Sequence, residues 1–363
     1  MKKIHVDKDI TQAATLPSFF YTDSAVFTET KEKLFEKSWQ WVGGLHTLFS
    51  PLNNVYPLSL LPPMLEEPML LVKNQKDEIK CLSNVCTHRA NILVHQSQKT
   101  KQLVCEYHGR RFDLEGQFKS MPQFKEAENF PRPCDDLHTY DSKQWHDHLF
   151  VSIEPSFDIE KVLTPMNERI GHLPIGAFKL DPKRSKSYIV NSHWALYCDN
   201  YLEGFHIPFV HKDLNQQIEY EKYETQLFAY SNLQIAYSNG ASDVFDLPEG
   251  HIDYGKNVSA YYFWIFPNMM FNFYPWGLSI NIVSPLSQEK TKVVFYSYIY
   301  DESKLDQGAG GDLDKVERED EFVVESVFKG IRSKHYHTGR FSPTMEKGVH
   351  HFHHLIAEFM NRP

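Results

Sequence analysis

The sequence predicts an α+β protein of two domains, and three observations carry that reading. From Trp39 to about Pro155, short apolar runs alternate with Pro, Asn and Gly, the pattern of a small all-β domain. A second β-rich stretch runs from Tyr223 to Tyr300. After it come two segments whose apolar residues recur at helical spacing. A length of 363 residues accommodates two domains of roughly 150 residues or more each. With 41% hydrophobic and 14% aromatic residues, the chain is not globally disordered. A net charge of −9 argues against a nucleic-acid clamp or a polybasic membrane binder. Five cysteines make no disulfide scaffold, whereas 19 histidines are many for this size and are the first chemical hint.

The elements follow in order. Met1-Lys2-Lys3 resembles the start of a signal segment, but His5, Asp7, Lys8 and Asp9 occupy the place of its apolar region. The expectation is therefore a soluble, cytoplasmic protein. A helix is expected from about Asp23 to Lys37, with Phe27, Leu34 and Phe35 inward. Met69–Val72, Leu103–Cys105 and Leu149–Ile153 read as strands, and Asp199–Val210 as a compact helical segment. The most apolar stretch, Tyr261–Ile280, contains Pro267, Asn268, Asn272 and Pro275, so it reads as two broken strands rather than a membrane helix. A polar loop spans Asp306–Asp312. A helix over about Val316–Ser333 places Val316, Val323, Val324, Val327 and Ile331 on one stripe, with Asp320 on that same stripe. A carboxylate there is costly unless it is paired or holds a metal. The last helix is expected to start at Ser342-Pro343, with Met345, Val349, Phe352, Ile356 and Phe359 inward.

Two constellations carry chemistry. In the first, Cys86-Thr87-His88 is followed after sixteen residues by Cys105-Glu106-Tyr107-His108. Each half offers one thiolate and one imidazole, a set that can hold zinc or a [2Fe–2S] cluster with two Cys on one iron and two His on the other. Zinc fingers order their pairs Cys-Cys then His-His, and the Cys-His, Cys-His order here favours the iron–sulfur arrangement. Any single Cys or His reads more plainly as core or surface; the four together do not. Cys81, Cys134 and Cys198 lack partner spacing and read as buried or inert thiols.

In the second, Asp199-Asn200-Tyr201-Leu202-Glu203-Gly204-Phe205-His206 precedes His211. A helix over Cys198–Phe205 would set Asp199, Glu203 and His206 on one face. Pro208 breaks the regularity and lets His211 swing back. With Asp320 the two imidazoles make a 2-His-1-carboxylate triad suited to ferrous iron. Taken singly, these residues are unremarkable: solvent-facing acids, a structural histidine, an aspartate satisfied by an arginine. The tail histidines His350, His351, His353 and His354 are read as packing or subunit contacts rather than a zinc site.

Cys105-Glu-Tyr-His-Gly-Arg-Arg-Phe-Asp-Leu-Glu-Gly and the acid-x2-His-x4-His segment ending at His211 resemble those of Rieske non-haem iron oxygenase (ring-hydroxylating oxygenase) α subunits. The likeness covers essentially the whole chain. Asp199–Glu203, Phe266-Pro267-Asn268, Tyr274–Gly277 and Gly339–Pro343 resemble the choline monooxygenase and carnitine oxygenase branch. The resemblance implies an N-terminal segment 1–37 packed on the catalytic domain, an all-β Rieske [2Fe–2S] domain over 38–155, and a helix-grip catalytic domain over 156–363. It implies a cluster on Cys86, His88, Cys105 and His108, iron on His206, His211 and Asp320, and Glu203 bridging to His108 of a neighbouring subunit in a homotrimer. It implies an NAD(P)H-dependent reductase or ferredoxin as electron donor and O₂ as co-substrate. Arg110 departs from the family, where Trp is common, and could tune the cluster or alter the reductase dock.

The expected activity is hydroxylation of a small organic substrate, a quaternary or methylated amine. Aromatics around the iron, with Tyr201, Phe205 and Phe271 as pocket candidates, would form a cage for such a cation. The same rings would line a pocket for a neutral arene, so aromatic ring dioxygenation is the alternative. A Rieske electron-transfer protein without oxygenase activity is the reading from another class.

Overall fold

The computed structural model describes residues 3–211, 219–240, 244–306 and 313–362. The chain divides into two compact units, Met1–Phe35 with Phe157–Pro363, and Glu36–Ser156.

The first unit opens with two short helices, α1 (Ser18–Thr22) and α2 (Ser24–Thr30), and a π-helical turn over Lys31–Phe35. The Asp23 side chain caps α2 by accepting the Ala25 N–H, which ends one helix and starts the next. Leu34 and Phe35 are fully buried, as their spacing predicts, whereas Phe27 is only partly so.

The second unit is antiparallel throughout. Its strands are β1 (Gln40–Gly44), followed by the short helix α3 (Leu45–Leu48), then β2 (Val55–Leu60), β3 (Glu67–Lys73), β4 (Ile79–Ser83), β5 (Leu103–Val104), β6 (Arg111–Phe112), β7 (Phe118–Ser120), β8 (Thr139–Trp145) and β9 (His148–Ser152). Six of them form one sheet in the order β1-β9-β8-β4-β3-β2, and β5-β6-β7 form a small second sheet. Of the three apolar runs picked from the sequence, Met69–Val72 lies in β3, and the other two overlap β5 and β9, running one residue past them at Cys105 and Ile153. Val55, Leu70, Val72, Leu82, Leu103 and Phe112 pack into a core that also contains Cys86 and Cys105.

The first unit resumes with α4 (Glu160–Ile170), β10 (Lys179–Leu180), β11 (Lys186–Val190), α5 (Trp194–Tyr201) and α6 (Ile207–Val210). Then come β12 (Glu224–Leu227), β13 (Ser231–Tyr237), β14 (Val258–Ile265), β15 (Met269–Tyr274), β16 (Gly277–Ser287) and β17 (Lys290–Ile299). Two helices close it, α7 (Leu313–Ile331) and α8 (Lys347–Met360). The strands make one antiparallel sheet, β10-β17-β16-β15-β14-β13-β12, with β11 pairing beside β10 on β17. The apolar stretch 261–280 thus contributes to three strands, broken at Phe266–Asn268 and at Pro275-Trp276. Among the described residues no helix is long and apolar enough to cross a membrane.

Two expectations are corrected, and a third falls almost wholly outside the described residues. The buried face of α7 carries Glu317, Val324, Phe328 and Ile331; Val327 is 46% exposed, because the 3.6-residue period through Val324 reaches Phe328 and passes Val327 by. The last helix begins at Lys347, since Ser342–Glu346 forms a separate turn closed by the Glu346 N–H on the Ser342 carbonyl. The polar loop lies outside the described residues apart from Asp306, whose carboxylate pairs with Arg184 at 2.8 Å.

Candidate metal centres and pocket

The Cys86–His88 and Cys105–His108 loops share one backbone design. In the first, which follows β4, the Cys86 N–H donates to the Asn91 carbonyl and the Ala90 N–H to the Cys86 carbonyl. In the second, which links β5 to β6, the Cys105 N–H donates to the Arg110 carbonyl and the Gly109 N–H to the Cys105 carbonyl. Each loop is closed by a residue with positive φ four places after its cysteine, Gly109 at +73° and Ala90 at +53°. The glycine takes this conformation freely; the alanine is strained by about 1 kcal/mol.

The loops bring their ligand candidates together. Cys86 and Cys105 are both buried, and the His88 and His108 rings lie 4.8 Å apart. Burial raises the Cys86 thiol above its ordinary range, a bond from the His88 N–H opposes that, and the Cys105 thiol adds to it. Metal binding removes both protons at once. Two buried thiols beneath two adjacent imidazoles fit a Rieske cluster. His108 is exposed and His88 partly so, which leaves the histidine side facing outward. Of the remaining cysteines, Cys81 and Cys198 are buried, but Cys134 is exposed. Arg110 is 2% exposed, so its guanidinium offers nothing to a docking reductase.

In the larger unit, His206, His211 and Asp320 place their donor atoms within 4.8 Å of one another. The helix expected over Cys198–Phe205 ends at Tyr201, so Glu203 and His206 meet through a turn and not through a helix face. Glu203 accepts the backbone N–H groups of Phe205 and His206 and meets the His206 Nδ1 at 2.7 Å. Glu319 meets the His211 Nδ1 at 2.7 Å. Both rings thus carry Nδ1–H toward a carboxylate and aim Nε2 at Asp320, 3.5 Å from His206 and 2.9 Å from His211. This is the tautomer that metal coordination through Nε2 needs. Burial works against a charged His211, yet hydrogen bonds and charges from Asp320 and Glu319 raise its pKa. A divalent cation held by His206, His211 and Asp320 would supply that positive charge instead. Asn200 Nδ2 donates to Asp320 Oδ1 at 2.6 Å and orients the carboxylate. Two imidazoles and a carboxylate with second carboxylates behind them fit ferrous iron.

Asp199 turns the other way. Its Oδ1 accepts the His353 Nε2–H at 2.8 Å and its Oδ2 accepts the Tyr21 hydroxyl at 3.0 Å. The Leu16 N–H donates to His353 Nδ1, which fixes that tautomer. His350 bonds the Asp7 carbonyl, and burial pushes His351 down to about 4. These three tail histidines are engaged within the fold.

Above the triad lies a pocket of about 130 Å³. Its wall follows one row of the sheet: Gln234, Tyr262, Asn272 and Ser279 are directly paired across β13, β14, β15 and β16. Tyr201 lines it and donates to Asn272 Oδ1 at 2.6 Å. Phe271 does not, because successive strand residues point to opposite faces and Asn272 holds the pocket side. Phe205 does not either; it is 42% exposed and packs its ring 6.3 Å from that of Phe209. Sequence reasoning missed Glu317, a buried pocket acid that accepts the Tyr197 hydroxyl on both oxygens, and it missed the polar row. Polar residues inside otherwise apolar strands were the signal for the row.

Comparison with known families adds to this geometry. Residues 177–362 match the ring hydroxylating alpha subunit (catalytic domain) family, and residues 62–131 match the Rieske [2Fe–2S] domain. The chain belongs to the ring-hydroxylating alpha subunit family. It is an oxidoreductase, the terminal oxygenase of a Rieske system, with a [2Fe–2S] cluster and a mononuclear iron, and it works with O₂ and a reductase. The chloroplastic choline monooxygenase of Beta vulgaris is 28% identical over 359 residues, covering 95% of this chain and 77% of the relative. The carnitine monooxygenase oxygenase subunit of Escherichia coli (strain K12) is 25% identical over 361 residues, covering 96% and 94%. The fold matches the quaternary ammonium Rieske monooxygenase CntA in complex with L-carnitine, with a TM-score of 0.72 at 23% identity over 97% of each chain. It also matches naphthalene 1,2-dioxygenase from Rhodococcus sp., with a TM-score of 0.73 at 16% identity over 96% of this chain and 95% of that one.

Proposed function

We propose that this oxygenase acts on a small quaternary ammonium or methylated amine, with His206, His211 and Asp320 holding iron and Cys86, His88, Cys105 and His108 holding the cluster. The observation that carries the substrate reading is the pocket wall. Tyr197, Tyr201, Tyr223, Tyr262 and Tyr274 line it together with Glu203, Glu317 and Asp320, and no Lys or Arg is among its described lining residues. Tyrosine faces attract a desolvated cation by ~1–2 kcal/mol each. A neutral arene gains nothing from the acids. The named activities of the choline and carnitine relatives support the same reading.

Bound there, the cluster relays electrons and the iron activates O₂ for insertion into a C–H bond. The chain's own groups do the rest. Glu203 and Glu319 hold the two imidazoles in the coordinating tautomer, Asn200 orients Asp320, and the tyrosine wall seats the substrate beside the triad. Hydroxylation of an N-methyl carbon gives a hemiaminal that loses formaldehyde.

Glu203 is also assigned the bridge to the partner subunit's His108 in a homotrimer. Exposed aromatics accompany both ends of that bridge, Phe205 and Phe209 beside Glu203, and Tyr107 beside His108. Such surfaces suit burial against another copy. None of the five cysteines is in a disulfide, which accords with a reducing compartment, and the cytoplasm is the proposed location.

The test is turnover with a surrogate reductase, NAD(P)H and O₂, read by mass spectrometry on choline, glycine betaine and carnitine. Oxygenation of one of them supports the reading. Cis-diol formation from an arene, with all three trimethylammonium compounds untouched, overturns it in favour of ring dioxygenation.

A further inference from the structure

The two cluster loops are joined by groups that neither the ligand set nor the pocket uses. Arg110 follows His108 by two residues, and its Nη2 donates to both the Asp135 carbonyl, at 3.0 Å, and Asp135 Oδ1, at 2.8 Å. The same Asp135 carbonyl accepts the Thr87 hydroxyl at 2.8 Å. Thr87 lies between Cys86 and His88, so one peptide oxygen ties both loops. The other Asp135 oxygen is held by the Arg132 N–H at 2.8 Å.

The guanidinium is packed among three rings, Phe112, Phe118 and Phe130, at 5.6, 4.8 and 5.4 Å. It is 2% exposed, and its Nε–H is buried with no acceptor among the described residues. A permanent charge sealed from water keeps a long reach, because the surrounding dielectric is low. The charge sits beside the ligands: Arg110 is two residues after His108, and through Asp135 it is tied to Thr87, which lies between Cys86 and His88.

We propose that Arg110 is a positioning residue for the cluster, latching the two loops through Asp135 and favouring the reduced, more negative cluster by its positive field. The proposal rests on the cluster assignment above. The electron comes from the reductase, and no bond is made or broken.

The experiment measures the midpoint potential of the cluster in the full-length holoprotein, by redox titration followed by electron paramagnetic resonance. Arg110→Met is expected to lower the potential by at least a tenfold shift in the one-electron equilibrium, about 59 mV. Arg110→Lys, which keeps the charge, stays nearer the unsubstituted protein. Asp135→Asn removes the compensating negative charge and raises the potential. Opposite signs for the methionine and asparagine variants separate a field effect from mere loosening, which would move both alike. An unchanged Arg110→Met potential, or both variants moving together, overturns the proposal. Should the methionine variant lose its cluster, Asp135→Asn decides: a raised potential supports the field of Arg110, and an unchanged or lowered one refutes it. A cluster signal absent from the unsubstituted protein overturns the cluster assignment itself.

Discussion

Each imidazole of the triad is held from behind by a carboxylate, Glu203 on His206 and Glu319 on His211. Each acid meets its histidine's Nδ1 at 2.7 Å, so both Glu203→Gln and Glu319→Gln should weaken iron by about 10- to 100-fold, the usual effect of losing such a partner. Iron retention against a competing chelator measures this. The two variants should part company at saturating iron. Glu319→Gln recovers turnover, because its glutamate only orients a ring. Glu203→Gln is expected to keep both metals and stay slow, because the proposed function has its glutamate also pass the electron. Equal recovery of the two would remove the bridging role from Glu203. The cluster set and the two triad histidines were legible because their donors stand a few letters apart, and Asp320 because a carboxylate on an apolar helical stripe is conspicuous. Glu319 was not, because nothing in its own sequence distinguishes a carboxylate facing a histidine from one facing water.

Helix α8 sets the height of the turn that carries Glu203. At Gly348 it approaches so closely that a Cβ there would lie 2.3 Å from the Leu202 carbonyl oxygen. Backbone cannot give way as a side-chain tip can. Gly348→Ala should therefore destabilise the unit by about 1–3 kcal/mol despite alanine's better helix propensity. It should also loosen iron, since Leu202 adjoins Glu203. Thermal unfolding together with chelator competition checks both, and an unchanged melting temperature would show that the contact is slack. The sequence marked α8 by its stripe yet placed its start four residues early, because Ser342-Pro343 makes a plausible start on local grounds alone. Strand β15 shows a deeper limit. Met269–Tyr274 is buried at every position, so apolar alternation cannot say which face meets the pocket. Only Asn272 marks that side, and reading it requires knowing that a pocket exists. The same blindness led to Phe271 as a pocket candidate.

At the scale of the whole molecule, the decisive quantity is where the electron goes after it reaches the cluster. A chain with both centres should contain about three irons, two in the cluster and one in the triad, whereas a pure electron carrier would hold about two. Iron analysis with acid-labile sulfide as the internal reference separates these. The path itself can be tested by mixing two inactive chains. One carries Cys86→Ser and Cys105→Ser and cannot hold the cluster; the other carries Asp320→Ala and cannot hold iron in the triad. If each cluster feeds the iron of a neighbour, co-expressed chains assort into rings in which about one-quarter of interfaces join an intact cluster to an intact triad. Those interfaces should turn over, giving about one-quarter of normal activity per subunit. If the electron stays within a chain, no chain in the mixture has both centres, and the mixture remains as inactive as its parts. Exposure of His108 on one unit and partial exposure of Glu203 on the other is what each model must explain. Both residues present the outer edge of a metal centre to the surface, which costs protection from solvent and makes sense where another surface is to cover it.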